Sequence, residues 1–259
     1  MGEFEQFQCQ CLACNVHNPA DAPRSPQLTT SGIAERTAAW ASSPGKAGIL
    51  IVDDHPMTRF GISQLLDGQS DLLVGAEAKD SVEAMDFIQR YPIDLVIADI
   101  SLPGRNGLEL IKDALALRPA LKILVCSMYD ELLYGERALR AGARGFIMKD
   151  EGGLALLRAI REVLRGQAYL GGRLAARMRT PGRPTGPGPR EPALERLSDR
   201  ELEIFNLLGQ GRRSAEIATL LHLSVKTVDT HRANMREKLD LPNGAALAYY
   251  ATHWIATTV

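Results

Sequence analysis

The chain has 259 residues, 45% of them apolar and 24% charged, with a formal net charge of −1. Such a composition excludes a disordered or collagen-like chain and gives length for one large domain or two ordinary ones. No run approaches 18 consecutive apolar residues and Met1–Phe7 lacks the basic start of a secretory signal, so no membrane span is expected and the cytoplasm is the default compartment.

Residues 1–46 carry no periodic pattern and are read as a disordered or poorly defined extension. Three of the four cysteines fall there, as Cys9, Cys11 and Cys14 with His17 beyond, a cramped set of soft ligands without a second cluster. A metal site is the minor reading of that segment.

From residue 47 to about 170, short β-branched runs alternate with segments of helix length. Strands are predicted at Ile49–Val52, Leu72–Ala76, Leu95–Ala98, Ile123–Cys126 and Gly145–Met148. Helices are predicted at Met57–Leu66, Ser81–Arg90, Leu108–Leu117, Leu132–Ala141 and Leu154–Leu164. Five β-α repeats with near-continuous apolar strands argue for an α/β domain: a doubly wound, five-stranded parallel sheet with helices on both faces.

Residues 171–193 follow as a linker, with five prolines and three glycines between Thr180 and Pro192. The segments 1–45, 46–170, 171–193 and 194–259 carry −2, −3, +4 and 0, so a basic connector follows an acidic domain. That distribution permits nucleic-acid binding without proving it.

Residues 194–259 show only helical periodicity, and an all-α domain is expected. Ser198 is a predicted N-cap for a helix carrying Leu202, Phe205 and Leu208. A second helix runs Ser214–Leu221. Ser224 is a predicted cap for a third, Val225–Leu239, and a last one lies around Ala245–Trp254. Two helices joined by the tight turn His222-Leu223-Ser224, with a polar face on the second, form the pattern of a helix-turn-helix reader.

The chemistry of the first domain sits at strand ends. The first strand runs into Asp53-Asp54 and the third into Asp99, and in a parallel sheet these ends share one edge. Three converging carboxylates raise a pKa or bind a hard cation such as Mg²⁺. Ser127 and Lys149 end the fourth and fifth strands and add a hydroxyl and an ammonium. An aspartate nucleophile, a metal held by carboxylates, a hydroxyl and a lysine suit phosphoryl transfer to Asp99. Neither a G-x-G-x-x-G turn nor a P-loop is present: the first strand is followed by Asp53–Phe60, and Gly45-Lys46 by Ala47.

Asp53-Asp54, Asp99 with Leu102-Pro103 and Gly107, Ser127, and the run Gly142-Ala143-Arg144-Gly145-Phe146-Ile147-Met148-Lys149-Asp150 resemble the receiver domain of bacterial two-component signalling, a flavodoxin-like fold. Leu197-Ser-Asp-Arg-Glu-Leu-Glu-Ile, Ala215-Glu-Ile-Ala218 and Ser224–Leu239 resemble the LuxR-type helix-turn-helix. Together they resemble the NarL/FixJ family of response regulators.

The resemblance implies that Asp99 accepts a phosphoryl group from a sensor histidine kinase. Asp54, Asp99 and the Ser101 carbonyl would ligate Mg²⁺, with Asp53 acting through water, and Ser127 and Lys149 would contact the phosphate. Phe146 would be a switch aromatic that rotates inward. It also implies that Asp229, Thr230 and Ala233 face base edges of promoter DNA, with Lys226, Thr227, His231, Arg232 and Lys238 nearer the phosphates. A homodimer formed on phosphorylation would be the working unit, with the last helix as the expected dimer surface, although its Leu247, Tyr250 and Trp254 suit a plain core role equally, and with RNA polymerase a further partner. Asp229 departs from members with a basic residue at that position; a carboxylate can accept from cytosine N4 but repels phosphate. The chain is therefore expected to be a regulator and not an enzyme. The alternative is a metal-dependent aspartyl-phosphate phosphatase or transferase with a helical protein-binding tail, against which stands Ser101 where a second aspartate would be needed.

Overall fold

The computed structural model describes residues 45–179 and 192–258. Both the Cys9/Cys11/Cys14/His17 cluster and the Pro/Gly stretch lie outside them.

The first domain is a parallel sheet of β1 (Ala47–Val52), β2 (Leu72–Ala78), β3 (Leu95–Ala98), β4 (Lys122–Ser127), β5 (Gly145–Met148) and β6 (Tyr169–Leu170) in the order β2-β1-β3-β4-β5-β6. The expected fold is present, with six strands and not five. The extra strand is two residues long, too short for a periodic signal, and pairs Gly145 with Tyr169 and Phe146 with Leu170 along the β5 edge. Residues assigned to the linker also begin as structure, in α6 (Gly172–Arg179), whose Leu174 is fully buried.

The helices α1 (Pro56–Asp67), α2 (Ser81–Arg90), α3 (Gly107–Leu117), α4 (Glu131–Ala141) and α5 (Gly153–Leu164) alternate with the strands. Alternation within each strand divides the core. Ile49, Ile51, Leu95, Ile97, Leu124 and Ile147 pack with residues of α1 and α5; Leu50, Val52, Val96, Val125 and Phe146 pack with residues of α2, α3 and α4. Burying a single such Ile or Leu contributes about 1.5–3 kcal/mol. Local chemistry sets the helix starts: Asp80, Asn106 and Asp130 each accept a backbone N–H in the first turn of α2, α3 and α4.

The second domain contains α7 (Pro192–Glu195), α8 (Asp199–Gly209), α9 (Ser214–Leu220), α10 (Val225–Lys238) and α11 (Gly244–Thr258). Ser198 caps α8 in a reciprocal box with Glu201, and Ser224 caps α10 through the Thr227 N–H, both as predicted. Leu202, Phe205, Leu208, Ile217, Val228, Met235 and Leu247 fill its interior. On α11, Leu247 is fully buried, Tyr250 meets the Phe205 ring edge-on at 5.6 Å and Trp254 packs on the same core, while Tyr249 is exposed. Of the two readings open for these residues, Leu247 takes the core one, and Tyr250 and Trp254 are half-buried against that core.

Candidate functional site: the acidic edge and the docked helical module

Strand order places the site. β1 and β3 are neighbours and Val52 pairs with Ala98, so Asp53, Asp54 and Asp99 leave the sheet side by side at its switch point. Asp99 is buried; its Oδ1 accepts from Ser127 Oγ at 2.8 Å and from the Ser101 N–H at 3.3 Å. Lys149 Nζ lies 2.6 Å from Asp99 Oδ2 and 2.6 Å from Asp53 Oδ2. Burial raises the Asp99 pKa against the opposing pull of the Lys149 charge. Burial also works against the Lys149 ammonium, but the charge of Asp99 and the bonds to both carboxylates outweigh it, so the ammonium is held.

Gly107 shapes the floor of the site. A Cβ there would run into the Asp99 carbonyl oxygen and lie 2.8 Å from the Ile100 Cα, so only glycine lets α3 start against the acidic strand end. Cys126, one residue before Ser127, is a buried thiol whose pKa burial pushes up to about 12, so it is an inert core residue.

The carboxylates suit a cation. Ligand atoms of Asp53, Asp54, His55 and Asp99 all lie within 4.8 Å of one another. Asp54 Oδ1 is buried and accepts no aligned hydrogen bond, although His55 Nδ1 lies 2.6 Å away. An oxygen-rich cradle with one such atom fits a hard divalent ion. Sequence reasoning did not single out His55, whose backbone N–H also bonds Asp53 Oδ1 at 2.8 Å; its only signal was adjacency to the aspartate pair.

Phe146 is fully buried and packs with the α4 side of the core while Ser127 already bonds Asp99. The residue that the resemblance assigns as switch aromatic is thus a buried one in this conformation. The aromatic beside the site is Tyr129, whose hydroxyl lies 3.5 Å from Ser101 Oγ and whose ring stacks on Tyr134 at 4.7 Å.

From Tyr134 the structure passes directly into the helical module. Asn206 Nδ2 donates to the Tyr134 hydroxyl at 2.6 Å. Arg137 of α4 donates to the Leu194 and Leu197 carbonyls at 3.0 and 2.8 Å and pairs with Asp199 at 3.0 Å, which Lys112 of α3 also meets at 3.0 Å. Arg200 reaches back to the Gly104 carbonyl, in the loop after Asp99, at 3.1 Å. None of these contacts was legible in the sequence, because each pairs residues 57 to 96 positions apart.

On α10 the groove-reading candidates divide. Lys226, Asp229, Thr230 and Ala233 are exposed; Thr227, His231, Arg232 and Lys238 are half-buried. Lys238 pairs with Glu201 at 2.6 Å, and Arg232 bonds Ser214 Oγ, to which Asp229 is also joined at 2.9 Å. Burial lowers the His231 pKa, so its imidazole is neutral and a weak partner for phosphate. Docking to the receiver-like domain uses α8 and leaves the exposed face of α10 open.

Residues 49–161 match the response regulator receiver domain family, and residues 195–251 match the luxR family of bacterial regulatory proteins. The chain is similar to the fimbriae Z protein of Salmonella typhimurium, at 35% identity over 79% of this chain and 96% of that protein. It is likewise similar to the oxygen regulatory protein NreC of Staphylococcus aureus, at 36% identity over 78% and 95%. Among solved structures, RcsB of Salmonella typhimurium aligns with a TM-score of 0.60 at 26% identity, covering 81% of this chain and 98% of that one. A structure of RcsB from Salmonella enterica serovar Typhimurium bound to promoter DNA with the phosphomimetic BeF3− aligns at 0.58 and 26%, covering 80% and 99%.

Proposed function

The chain belongs to the NarL/FixJ family of response regulators and is a phosphorylation-controlled, DNA-binding transcription regulator; on that premise we propose that Asp99 is its phosphoacceptor, supplied by a sensor histidine kinase, and that α10 reads promoter DNA. The observation that carries the reading is the convergence of Ser127 Oγ and Lys149 Nζ on the two oxygens of one buried carboxylate, Asp99.

An Asp99 oxygen attacks the phosphorus of the kinase's phosphohistidine, the N–P bond breaks, and the imidazole leaves as the acyl phosphate forms. Asp53, Asp54, Asp99 and the Ser101 carbonyl would hold Mg²⁺, which when bound neutralises phosphoryl oxygens. The chain's own residues do the rest. Lys149, a fixed ammonium, turns from its ion pair toward the incoming phosphoryl oxygens, and Ser127 donates its hydroxyl proton to one of them. Both already stand beside Asp99, so each exchanges a carboxylate oxygen for a phosphoryl oxygen without having to be brought to the site.

In the second domain Asp229, Thr230 and Ala233 would face base edges. Lys226 stands free on the same helix for phosphate, while Thr227, His231, Arg232 and Lys238 would need to leave their present partners or packing to join it. With a module charge near zero, one copy binds weakly, and a homodimer on paired half-sites is the working unit. The protein acts as a regulator in the cytoplasm, with RNA polymerase as a further partner; among the described residues no helix is long and apolar enough to cross a membrane.

The test is incubation with Mg²⁺ and a small-molecule phosphodonor, followed by intact mass, oligomeric state and DNA affinity, with Asp99→Asn as control. Gain of one phosphoryl group together with dimerisation or tighter DNA binding, in wild type alone, is the expected result. DNA affinity indifferent to the phosphoryl group would overturn the reading.

A further inference from the structure

Three side chains join α9 to α10 in a closed set. Ser214 is the first residue of α9; its Oγ lies 2.9 Å from Asp229 Oδ1 and also accepts from Arg232 Nη1. Asp229 and Arg232 stand three residues apart on α10, with Arg232 Nη1 3.8 Å from Asp229 Oδ1. A guanidinium can only donate and a carboxylate can only accept, so the single hydroxyl hydrogen of Ser214 is committed to Asp229. The direction of donation is therefore fixed, from Arg232 to Ser214 to Asp229, and each bond polarises the next. A Cβ at Gly244, the first residue of α11, would lie 3.6 Å from Arg232 Nη2, so the guanidinium extends back toward the start of α11.

This leaves Asp229 with one oxygen taken and the other open. The Asp229 side chain is 57% exposed and that of Arg232 only 28%, so the carboxylate and not the guanidinium is presented outward. Among the described residues no hydrogen bond reaches Asp229 Oδ2. An exposed carboxylate on a DNA-facing helix is ordinarily repelled by phosphate and free to turn away. Here Arg232 offsets its charge and Ser214 fixes its orientation. Being acceptor-only, the open oxygen selects a donor. In the major groove cytosine offers its N4 amino group, guanine and thymine offer acceptors that repel it, and adenine sets an acceptor, N7, beside its amino group.

We propose that Ser214, on the helix before the reading helix, determines base preference through Asp229: its hydroxyl, polarised by Arg232, holds Oδ1 so that Oδ2 is presented to a cytosine amino group. The proposal rests on α10 reading promoter DNA. It makes Ser214 and Arg232 positioning residues, and Arg232 stays with Ser214 and does not turn to phosphate. Without the hydroxyl, Asp229 regains its side-chain torsions and turns from the base, so discrimination at one base pair falls. Weaker packing of α9 on α10 would instead lower affinity for every duplex alike, because phosphate contacts carry no sequence information.

The test selects a preferred sequence for the full chain from a randomised duplex DNA pool, then measures affinity for all single-base variants of it by fluorescence anisotropy at one salt concentration. Ser214→Thr and Ser214→Val have the same shape and differ in the hydroxyl. Ser214→Val and Asp229→Ala are expected to lose preference for cytosine at one and the same base pair by about fivefold or more, and Ser214→Thr to keep it. Loss in Asp229→Ala with preference intact in Ser214→Val would overturn the proposal and leave Asp229 reading unaided. A Ser214→Val protein that binds every duplex more weakly by one factor would overturn it in favour of a purely structural tie, and so would preference unchanged in Asp229→Ala. Failure of wild type to enrich any sequence would overturn the reading of DNA by α10, and this proposal with it.

Discussion

Asn206, on the first long helix of the DNA-binding module, donates to the hydroxyl of Tyr134 on receiver helix α4 across 2.6 Å, both residues buried. Removing the hydroxyl by Tyr134→Phe leaves an amide donor buried without an acceptor, a cost of about 1–3 kcal/mol to the docked form. Small-angle scattering is expected to show an expanded unphosphorylated protein; dimensions identical to wild type would mean that the bond does not hold the domains together.

Lys149 is the counter-charge of both Asp53 and Asp99. Lys149→Ala is expected to slow phosphoryl acceptance about 100-fold or more, the usual scale for loss of a preorganised electrostatic partner. Time-resolved intact mass with a small-molecule phosphodonor measures it, and an unchanged rate would remove Lys149 from the chemistry.

Gly107 has no room for a side chain, since a Cβ would collide with the Asp99 backbone. Gly107→Ala is expected to destabilise the receiver by about 1–3 kcal/mol and to displace Asp99 with it. Urea unfolding followed by circular dichroism gives the first effect, and the phosphorylation rate gives the second.

The pH dependence of docking follows from Glu203, a carboxylate on α8 at the domain interface whose pKa burial raises against the pull of its Arg200 partner. Its docked pKa of about 7 lies above the ordinary 4.5, so the docked form holds the extra proton between those values. At low pH the group is neutral in both forms and docking is not penalised; as pH rises from 4.5 through 7 that advantage is lost. Scattering at about pH 5.5 and about pH 8 is expected to show the more compact protein at the lower value. Glu203→Gln should flatten the difference, and a difference that survives in that variant would have to come from another titratable group.

Asp229 is exposed on α10 and accepts from Ser214 at 2.9 Å. If it reads a cytosine amino group, Asp229→Ala will relax preference at one base pair by about 1–3 kcal/mol, measured by binding to a panel of single-base variants. An unchanged preference order would leave it the structural role of tying α9 to α10.

The receiver was legible because its chemistry lies at the ends of strands whose apolar runs announce themselves. Asp53, Asp99 and Ser127 each follow four or more consecutive buried positions, Lys149 follows the short apolar run Phe146–Met148, and parallel pairing carries their ends to one edge. Capping residues such as Ser198 and Ser224 were equally visible, since the cap needs only a local hydroxyl and an N–H three residues on. What escaped was long-range or very short. β6 is fixed by pairing with β5 and not by its two residues, and Tyr134, Asn206 and Glu203 acquire a role only when two separately folding patterns meet. The family resemblance alone implies His231 and Lys238 near the phosphates; in the structure His231 is half-buried in the module and Lys238 pairs with Glu201.

The open face of α10 has a consequence for how such a regulator is tuned. Lys226, Thr230 and Ala233 remain accessible while the module is docked, so if α10 reads promoter DNA as proposed, the resting protein is not blind to its operator. Occupancy at a promoter then depends on the number of molecules present as well as on the fraction that carry the signal. Raising the abundance of this chain would mimic the stimulus, and a circuit built on it would be set by dosage and by kinase activity together.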